Sequence, residues 1–255
     1  MRLVTLLLFL GLAASAQAQV LLSGRAQSFH YSYESVLAAA NDAAHREYLA
    51  FIEESALSPN WQLQAKLDAL LKPVVAQARV LRPRLGNLNW RVLLVHDDAY
   101  TAASKPNGLI TVSEPYLLNR QFTDDELTFI LAHEVAHVAS EHVREILSHV
   151  PRHYEPGLPI SALRAAELLT EVAYMFEDME PIYRNLELEA DVIGLLIVRY
   201  LGIPGARVLS AFDKMVEAET GYRPVNDHDD ALMRKQKLVQ ALPWLNAEIQ
   251  LALVP

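Results

Sequence analysis

The sequence predicts a mainly α-helical α+β fold with a small β-sheet beside one apolar helix, and three observations support this prediction. Apolar residues recur at helical spacing from Trp61 to Val80. Two short β-branched segments follow, Trp90 to His96 and Gly108 to Val112, and the second begins in a Lys-Pro-Asn-Gly turn. Thr123 and Glu126 form a capping box ahead of an apolar run, which predicts the start of a helix.

The remaining elements are predicted from helical spacing and from the prolines that interrupt it. A first helix is expected within Ser28 to Ser58, so that two N-terminal helices cover about residues 28–80. A cluster of prolines predicts a loop over Val150 to Ile160. Further helices are expected over Ser161 to Met179, from about Tyr183 to Leu201 after Pro181, over Ala206 to Ala218, and around Ala231 to Leu242.

Length and composition predict one folded domain. The chain has 255 residues, of which 52% are hydrophobic and 21% are charged, which suits a globular protein and is too apolar for a disordered one. We expect a single domain over residues 19–255, with its core at about 90–242. The net charge of −9 argues against nucleic acid and anionic membrane surfaces as partners.

The first 18 residues have the pattern of a secretory signal peptide. Arg2 precedes an apolar stretch from Leu3 to Leu12, and cleavage is expected after Ala18 in the A-x-A site. An uncleaved membrane anchor is disfavoured, because the stretch is about half of the ~20 residues that span a bilayer. No transmembrane segment is expected in the mature chain. An exported, acidic and cysteine-free chain favours the bacterial periplasm and leaves peripheral association with the envelope open.

His133, Glu134 and His137 form an H-E-x-x-H motif within the predicted apolar helix. The i,i+4 spacing places both imidazoles on one helix face, where their nitrogens can bind one zinc ion. Glu134 lies beside them and can act as general base toward a zinc-bound water. A solvated polar face is the alternative, which the neighbouring Leu131 and Val135 disfavour.

A catalytic zinc site needs a third protein ligand and an open position for water. The metzincin pattern would place a third histidine at the position of Val143, so that subclass is excluded. Glu187 and Asp191 share a helix face, so Glu187 can bind zinc while Asp191 orients a ligand histidine. Arg184 precedes Glu187 by three residues and can hold either carboxylate. An acidic solvated face and an ordinary surface arginine are the alternatives.

Four segments make the chain similar to the zinc metallopeptidase family of HtpX, the CAAX prenyl proteases, the Oma-type proteases and the BepA-like periplasmic proteins. The resemblance covers about residues 90–242. It is carried by GLITV from Gly108, HEVAHVASEH from His133, RNLELEAD from Arg184, and His228 with Arg234, which resembles the family's H-P-P-x-x-x-R. Asp229 and Asp230 stand in place of the two prolines of that last motif.

The resemblance implies a zincin-like domain with one Zn2+ per chain, held by His133, His137 and Glu187, with Asp191 behind a ligand histidine. It implies a zinc-dependent endopeptidase of the gluzincin type, in which the third ligand is a glutamate. An endopeptidase of this type acts on peptides or unfolded proteins, which are therefore the expected substrates. Together with the signal-peptide pattern, the resemblance favours a role in quality control of envelope proteins in the periplasm. A latent or non-cleaving zinc-fold protein, acting as a chaperone or assembly factor, is the alternative.

Two further histidines have open assignments. His228 can stabilise the oxyanion, bind the metal reversibly, or simply be exposed. His142 lies five residues after His137. On an uninterrupted helix that places it about 140° further around, so we expect it to pack or to hydrogen-bond rather than to bind the metal.

The segment Gly108, Leu109, Ile110, Thr111 and Val112 is the candidate substrate-binding strand. If this segment forms an exposed sheet edge, the main chain of an extended peptide can pair with it whatever the side chains of the peptide are. The alternative is a strand that is paired on both sides within the core.

Overall fold

The computed structural model of the protein describes residues 18–19, 24–98, 100–153, 159–171, 173–216 and 231–252. The described helices are α1 (Tyr33–Glu53), α2 (Trp61–Leu81), α3 (Glu114–Arg120), α4 (Asp124–Ala139), α5 (His142–His153), α6 (Ala162–Glu171), α7 (Ala173–Tyr200), α8 (Gly205–Val216) and α9 (Ala231–Ala252), with a 3-10 helix at Pro83–Asn87. The described strands are β1 (Ala18–Gln19), β2 (Ala26–Gln27), β3 (Arg91–Val95), β4 (Ala102–Ser104) and β5 (Leu109–Ser113). The predicted mainly helical α+β fold is confirmed.

β5 is the middle strand of a three-stranded sheet. It pairs in parallel with β3, with Val92 opposite Ile110, and antiparallel with β4, with Ala102 opposite Val112. All residues of β5 are buried. The prediction that Gly108 to Val112 forms an open edge for substrate is therefore wrong, because both sides of this backbone are already paired within the sheet. β4 lies at the sheet edge instead.

α4 lies at the centre of the fold and carries the H-E-x-x-H motif. Nearly all its side chains are buried, because the helix is apolar on most sides and packs against α2, α7 and β4. α7 approaches α4 closely at Gly194, where an added Cβ would lie 3.0 Å from the backbone nitrogen of His133. Gly194 therefore permits the helix approach that brings side chains of α7 to the α4 histidines.

Two prolines lie inside helices that the sequence predicts to be interrupted. α5 includes Pro151, and α7 continues through Pro181 as one helix. The expected loop is thus corrected at residues 150–153, which belong to α5, while residues 154–158 lie outside the described part of the chain. The expected break near Pro181 is corrected as well. Val150 is buried, and so are Met179 and Leu186 on either side of Pro181. Tertiary packing therefore stabilises helices that local propensity alone would interrupt.

Two predicted features lie outside the described residues, namely His228 and all of the signal peptide except Ala18. Ala18 and Gln19 form β1, which pairs antiparallel with β2. None of the described helices combines the length and the hydropathy that a membrane-spanning segment needs.

Candidate metal centre

The predicted capping box at the start of α4 is confirmed, and it holds the helix that carries two candidate ligands. Glu126 accepts a hydrogen bond from the Thr123 backbone nitrogen at 2.7 Å, and the Thr123 hydroxyl accepts one from the Glu126 nitrogen at 3.4 Å. Ser210 and Lys214 of α8 also donate to Glu126. Burial raises the pKa of Glu126, but Lys214 and these hydrogen bonds lower it more, so that it ends below its usual value.

His133, His137 and Glu187 bring three donor atoms together between α4 and α7. Glu187 Oε2 lies 3.2 Å from His133 Nε2, Glu187 Oε1 lies 3.2 Å from His137 Nε2, and the two Nε2 atoms are 2.9 Å apart. Each residue offers one ligand atom, and these atoms all lie within 4.8 Å of one another. Two imidazoles and one carboxylate are a donor set that suits a divalent transition metal.

Glu134 follows His133 directly and is almost fully buried. Tyr116 of α3 lies within electrostatic range of it. Burial raises the pKa of Tyr116 to about 12; Arg120 and Arg234 oppose this shift, and the Glu134 carboxylate adds to it. The phenol of Tyr116 therefore belongs to the surroundings of Glu134, although no motif in the sequence indicates it.

Asp191 and Arg234 lie behind His133, and we call these three residues the His133 arm. Asp191 Oδ1 lies 2.9 Å from His133 Nδ1. Arg234 of α9 binds both oxygens of Asp191, with Nε 2.7 Å from Oδ2 and Nη2 2.6 Å from Oδ1. Arg234 Nη1 also lies 3.3 Å from Glu187 Oε2. Asp191 and Arg234 are both buried, so this arm is part of the core.

Charge pairing offsets burial throughout the His133 arm. Burial raises the pKa of Asp191, but Arg234 and His133 lower it more, so the carboxyl stays ionised. Burial lowers the pKa of His133, while the carboxylates of Glu187 and Asp191 raise it more, to about 10. A metal ion on Nε2 would compete with the proton that these carboxylates favour.

A break between α4 and α5 brings His142 behind His137. α4 ends at Ala139, Glu141 takes a left-handed conformation with φ of 56°, and α5 begins at His142. His142 Nδ1 then lies 3.0 Å from His137 Nδ1. The expected position of His142, about 140° around an uninterrupted helix, is therefore wrong, because the chain turns before His142. The expectation of a hydrogen-bonding histidine is confirmed.

Three charged side chains complete what we call the His137 arm, which consists of His137, His142, Glu189, Arg25 and Glu145. His142 Nε2 lies 3.4 Å from Glu189 Oε2, a close contact that does not meet the geometry of a hydrogen bond. Arg25 donates to both Glu189 oxygens at 2.7 and 2.9 Å, and to both Glu145 oxygens at 2.5 and 2.8 Å. Burial lowers the pKa of His142 to about 4. Burial also raises the pKa of Glu189, but His142 and Arg25 lower it more, to about 2. A neutral imidazole thus faces an ionised carboxylate.

The sequence comparisons agree with this centre. A model described as Peptidase family M48 matches residues 61–203, which is more than half of the chain. The chain belongs to peptidase family M48. The matched segment holds His133, His137 and Glu187, which are the residues that converge in the structure. Peptidases of the M48 family are metal-dependent, which fits this donor set.

Two relatives are both described as mitochondrial metalloendopeptidase OMA1. The protein of Arabidopsis thaliana is 27% identical over 164 residues, which are 64% of this chain and 32% of the relative. The protein of Saccharomyces cerevisiae is 25% identical over 173 residues, which are 66% of this chain and 50% of the relative. The aligned part of this M48 chain thus spans between about a third and a half of the length of these relatives.

Both arms end in arginines that lie outside the M48 match, with Arg25 before it and Arg234 after it. Arg184, which was expected to hold the α7 carboxylates, instead pairs with Glu180 at the surface. Helical side chains lean toward the N-terminus of their helix, so that Arg184 points away from Glu187. The prediction for Arg184 is wrong. Arg234 instead makes the contacts with Glu187 and Asp191 that were predicted for Arg184.

Proposed function

We propose that this M48 chain is a zinc-dependent endopeptidase whose zinc is bound by His133, His137 and Glu187. The observation that carries the proposal is the approach of the Glu187 carboxylate to both Nε2 atoms at 3.2 Å. Two histidines and one glutamate form the ligand set of one class of catalytic zinc sites, in which a fourth position stays open for water. The OMA1 relatives are described as metalloendopeptidases, which supports cleavage within a chain rather than at its ends.

Glu134 is the proposed general base. Zinc in this site would lower the pKa of a bound water to about 7 and polarise the scissile carbonyl. The Glu134 carboxylate is placed to hold the proton that such a water would lose and to return it to the leaving amine. Because Glu134 is almost fully buried, its carboxylate acts with little competition from bulk water.

Asp191 and His142 would fix the tautomers of the two ligand histidines. A histidine that binds a metal through Nε2 carries its proton on Nδ1. Asp191 Oδ1 can accept that proton from His133 at 2.9 Å, and His142 Nδ1 can accept it from His137 at 3.0 Å. Such outer hydrogen bonds orient the ligand rings and raise their basicity.

The main chain of β4 is the proposed binding strand for substrate, in place of β5. β4 lies at the sheet edge and packs against α4. The outer side of β3, by contrast, is occupied, because Ser58 N donates to Leu94 O at 3.1 Å and Gln64 Oε1 accepts from Leu94 N at 3.0 Å. An extended peptide can add to a sheet edge through main-chain hydrogen bonds, which suits unfolded or extended protein substrates.

Casein digestion by wild type and by Glu134→Gln tests the reaction. We expect Glu134→Gln to keep the fold and the metal but to lower kcat by about 10²–10⁴-fold, because an amide cannot accept and return the proton. Asp125→Asn is the matched control, since Asp125 lies on the same helix and pairs with Arg207 at the surface. Undiminished turnover by Glu134→Gln would reject the mechanism. No turnover by wild type would support the latent or non-cleaving alternative.

Metal analysis tests the ligands. We expect about one equivalent of zinc per wild-type chain and a sharp loss in Glu187→Ala, while Glu180→Ala on the same helix keeps the metal. Stoichiometric zinc in Glu187→Ala would remove Glu187 from the ligand set. Preferential binding of iron or another metal would reject the zinc assignment.

A periplasmic location and misassembled envelope proteins as substrates complete the proposal. The leader pattern of residues 1–18 and the absence of cysteine support it. We expect the mature protein, recovered from the periplasmic fraction, to begin at Gln19 by mass spectrometry. A cytosolic protein that retains its leader would contradict this location.

A further inference from the structure

A short N-terminal segment, residues 25–28, contacts the side chains behind His137 from outside the M48 match. Arg25 binds Glu189 of α7 and Glu145 of α5 at the same time, at 2.5 to 2.9 Å. Two residues on, Gln27 Nε2 donates to the Ser140 carbonyl at 2.7 Å and to Glu145 at 2.9 Å. Ser140 is the C-terminal cap of α4. The segment therefore connects α4, α5 and α7 on the side of the centre where His142 lies.

His142 is fully buried between the candidate ligand His137 and Glu189, which Arg25 binds, so its orientation depends on both neighbours. If His137 binds metal through Nε2, its Nδ1 donates a proton to His142 Nδ1 across 3.0 Å. The proton of His142 then lies on Nε2, which faces Glu189 at 3.4 Å. Glu189 is the carboxylate that would accept this proton, although the contact is longer than a hydrogen bond here, and Arg25 holds that carboxylate in place through two hydrogen bonds.

We propose that Arg25 is a positioning residue of the metal centre. Through Glu189 it keeps His142 in the tautomer that accepts a hydrogen bond from His137, and so it strengthens zinc binding. The inference rests on the proposed function of His137 as a zinc ligand. Arg25 acts through Glu189 and His142 rather than on the metal itself.

Arg25 stabilises the fold as well as the position of Glu189, so the two effects have to be measured separately. The Arg25 side chain is 34% exposed, while those of Glu145 and Glu189 are 7% and 13% exposed. Loss of Arg25 leaves two nearly buried carboxylates without the planar fork that holds them, although water can reach the place of its partly exposed side chain. Substitution of Arg25 should therefore lower stability to some extent, and its effect on metal affinity is measured on the folded protein.

Chelator competition measures the zinc dissociation constants of wild type, Arg25→Gln and Arg152→Gln. Arg152 is the matched control, because it binds Ser28 of the same N-terminal segment at the surface, at 3.0 Å. We expect Arg25→Gln to weaken zinc binding about 10-fold at unchanged stoichiometry, and Arg152→Gln to stay within about twofold of wild type. Wild-type affinity in Arg25→Gln overturns the proposal. An equal loss in Arg152→Gln also overturns it, since that would show a general effect of the segment.

A double-mutant cycle and the tautomer of His142 test the route. If Arg25 acts through Glu189, Arg25→Gln and Glu189→Gln together weaken zinc binding no more than the stronger single change does. Additive losses overturn this route.

Long-range proton–nitrogen NMR of the zinc-loaded protein should show a protonated Nε2 on His142 in wild type and a mixture of tautomers in Arg25→Gln. One and the same tautomer in both proteins would contradict the positioning.

Substitutions at His142 supply the rescue test. The side-chain oxygen of His142→Asn can accept a hydrogen bond where Nδ1 does, so this variant should bind zinc more tightly than His142→Leu. Equal affinities reject the hydrogen bond as the cause.

The proposed function as a zinc endopeptidase and the positioning role of Arg25 fail in different ways. A wild-type protein that binds no zinc rejects the proposed function, whereas tight binding by both wild type and Arg25→Gln rejects only the positioning by Arg25.

Discussion

The two candidate ligand histidines of α4 are supported by arms of different construction. In the His133 arm, Asp191 contacts the histidine directly, and Arg234 is buried together with it. In the His137 arm, the ring of His142 stands between the histidine and Glu189, and the terminal Arg25 is partly exposed. Both arms end in an arginine bound to a carboxylate, but one arginine lies in the core and the other near the surface.

This difference in burial determines what each arm controls. When a buried ion pair loses one partner, the other charge stays buried without a counter-charge or water. The His133 arm, which contains the buried Asp191–Arg234 pair, therefore couples the metal centre to the stability of the whole fold. In the His137 arm, removal of Arg25 also leaves Glu145 and Glu189 without their cation, but water can reach the place of this partly exposed arginine, so the loss of stability should be smaller than in the His133 arm. The two arginines come from opposite ends of the chain, one from the N-terminal segment and one from α9.

Arg234→Met should produce the largest effect. It leaves Asp191 buried and ionised without its cation, and we expect the free energy of unfolding to fall by roughly 3–5 kcal/mol. Urea unfolding in the presence of a chelator measures this without a contribution from the metal. Arg25→Met under the same conditions should cost less, because water can reach Glu145 and Glu189 at the place of the partly exposed Arg25 side chain. Equal losses in the two variants would remove the distinction between a core arm and a surface arm.

Zinc affinity should respond more strongly to Asp191→Asn than to His142→Asn. The neutral amide that Asp191→Asn introduces cannot raise the basicity of His133 as the carboxylate does, so we expect zinc binding to weaken about 10–100-fold. His142→Asn retains an acceptor for His137 and should lose less than Asp191→Asn. Competition titrations with a chelator compare the two variants, with circular dichroism as the check on folding. Wild-type affinity in Asp191→Asn would show that the direct contact does not tune the metal.

The pH dependence of stability should differ in sign between the arms. The folded pKa of His133, about 10, exceeds the ordinary 6.5, so its contribution is full below about pH 6.5 and is lost as pH rises through 10. The folded pKa of His142, about 4, lies below 6.5, so its contribution is full above about pH 6.5 and is lost as pH falls toward 4. The chelator-treated protein should therefore be most stable near neutral pH.

Each of these slopes should be at most about 1.4 kcal/mol per pH unit, the value for one proton. His142→Asn should remove the acid slope between about pH 4.5 and 6.5 and leave the alkaline slope in place. Chemical unfolding at a series of pH values measures both. An acid slope that persists in His142→Asn would assign it to other groups and would remove the contrast between the arms.

Local periodicity explains which parts of the site could be predicted from the sequence. The i,i+4 spacing on α4 predicts that His133 and His137 share a face, and the same spacing on α7 predicts this for Glu187 and Asp191. That Glu187 rather than another carboxylate completes the set was implied by the family resemblance, and the close packing at Gly194 is what brings it there. Arg234 lies in the C-terminal segment that resembles the family's H-P-P-x-x-x-R motif, but its contacts depend on how α9 packs.

The unpredicted parts depend on contacts between distant segments. Arg25 lies 120 residues from Glu145 and 164 residues from Glu189 in the sequence, and nothing in its own neighbourhood indicates either partner. The turn that places His142 behind His137 occurs at Glu141 without the glycine or proline that usually marks one. The central position of β5 likewise follows from sheet order, which the pattern of a single strand does not contain.

Arg184→Gln should give the smallest effect, and it tests the contact that spacing suggested and the structure does not show. Arg184 pairs with Glu180 on the exposed side of α7, and exposed pairs of this kind contribute little. We expect the free energy of unfolding to change by less than about 0.5 kcal/mol, with an unchanged zinc dissociation constant. If zinc binding instead weakened tenfold, as for an outer hydrogen-bond partner of a ligand, Arg184 would belong to the His133 arm. Unchanged affinity would leave Arg234 as the arginine of that arm and Arg25 as the arginine of the other.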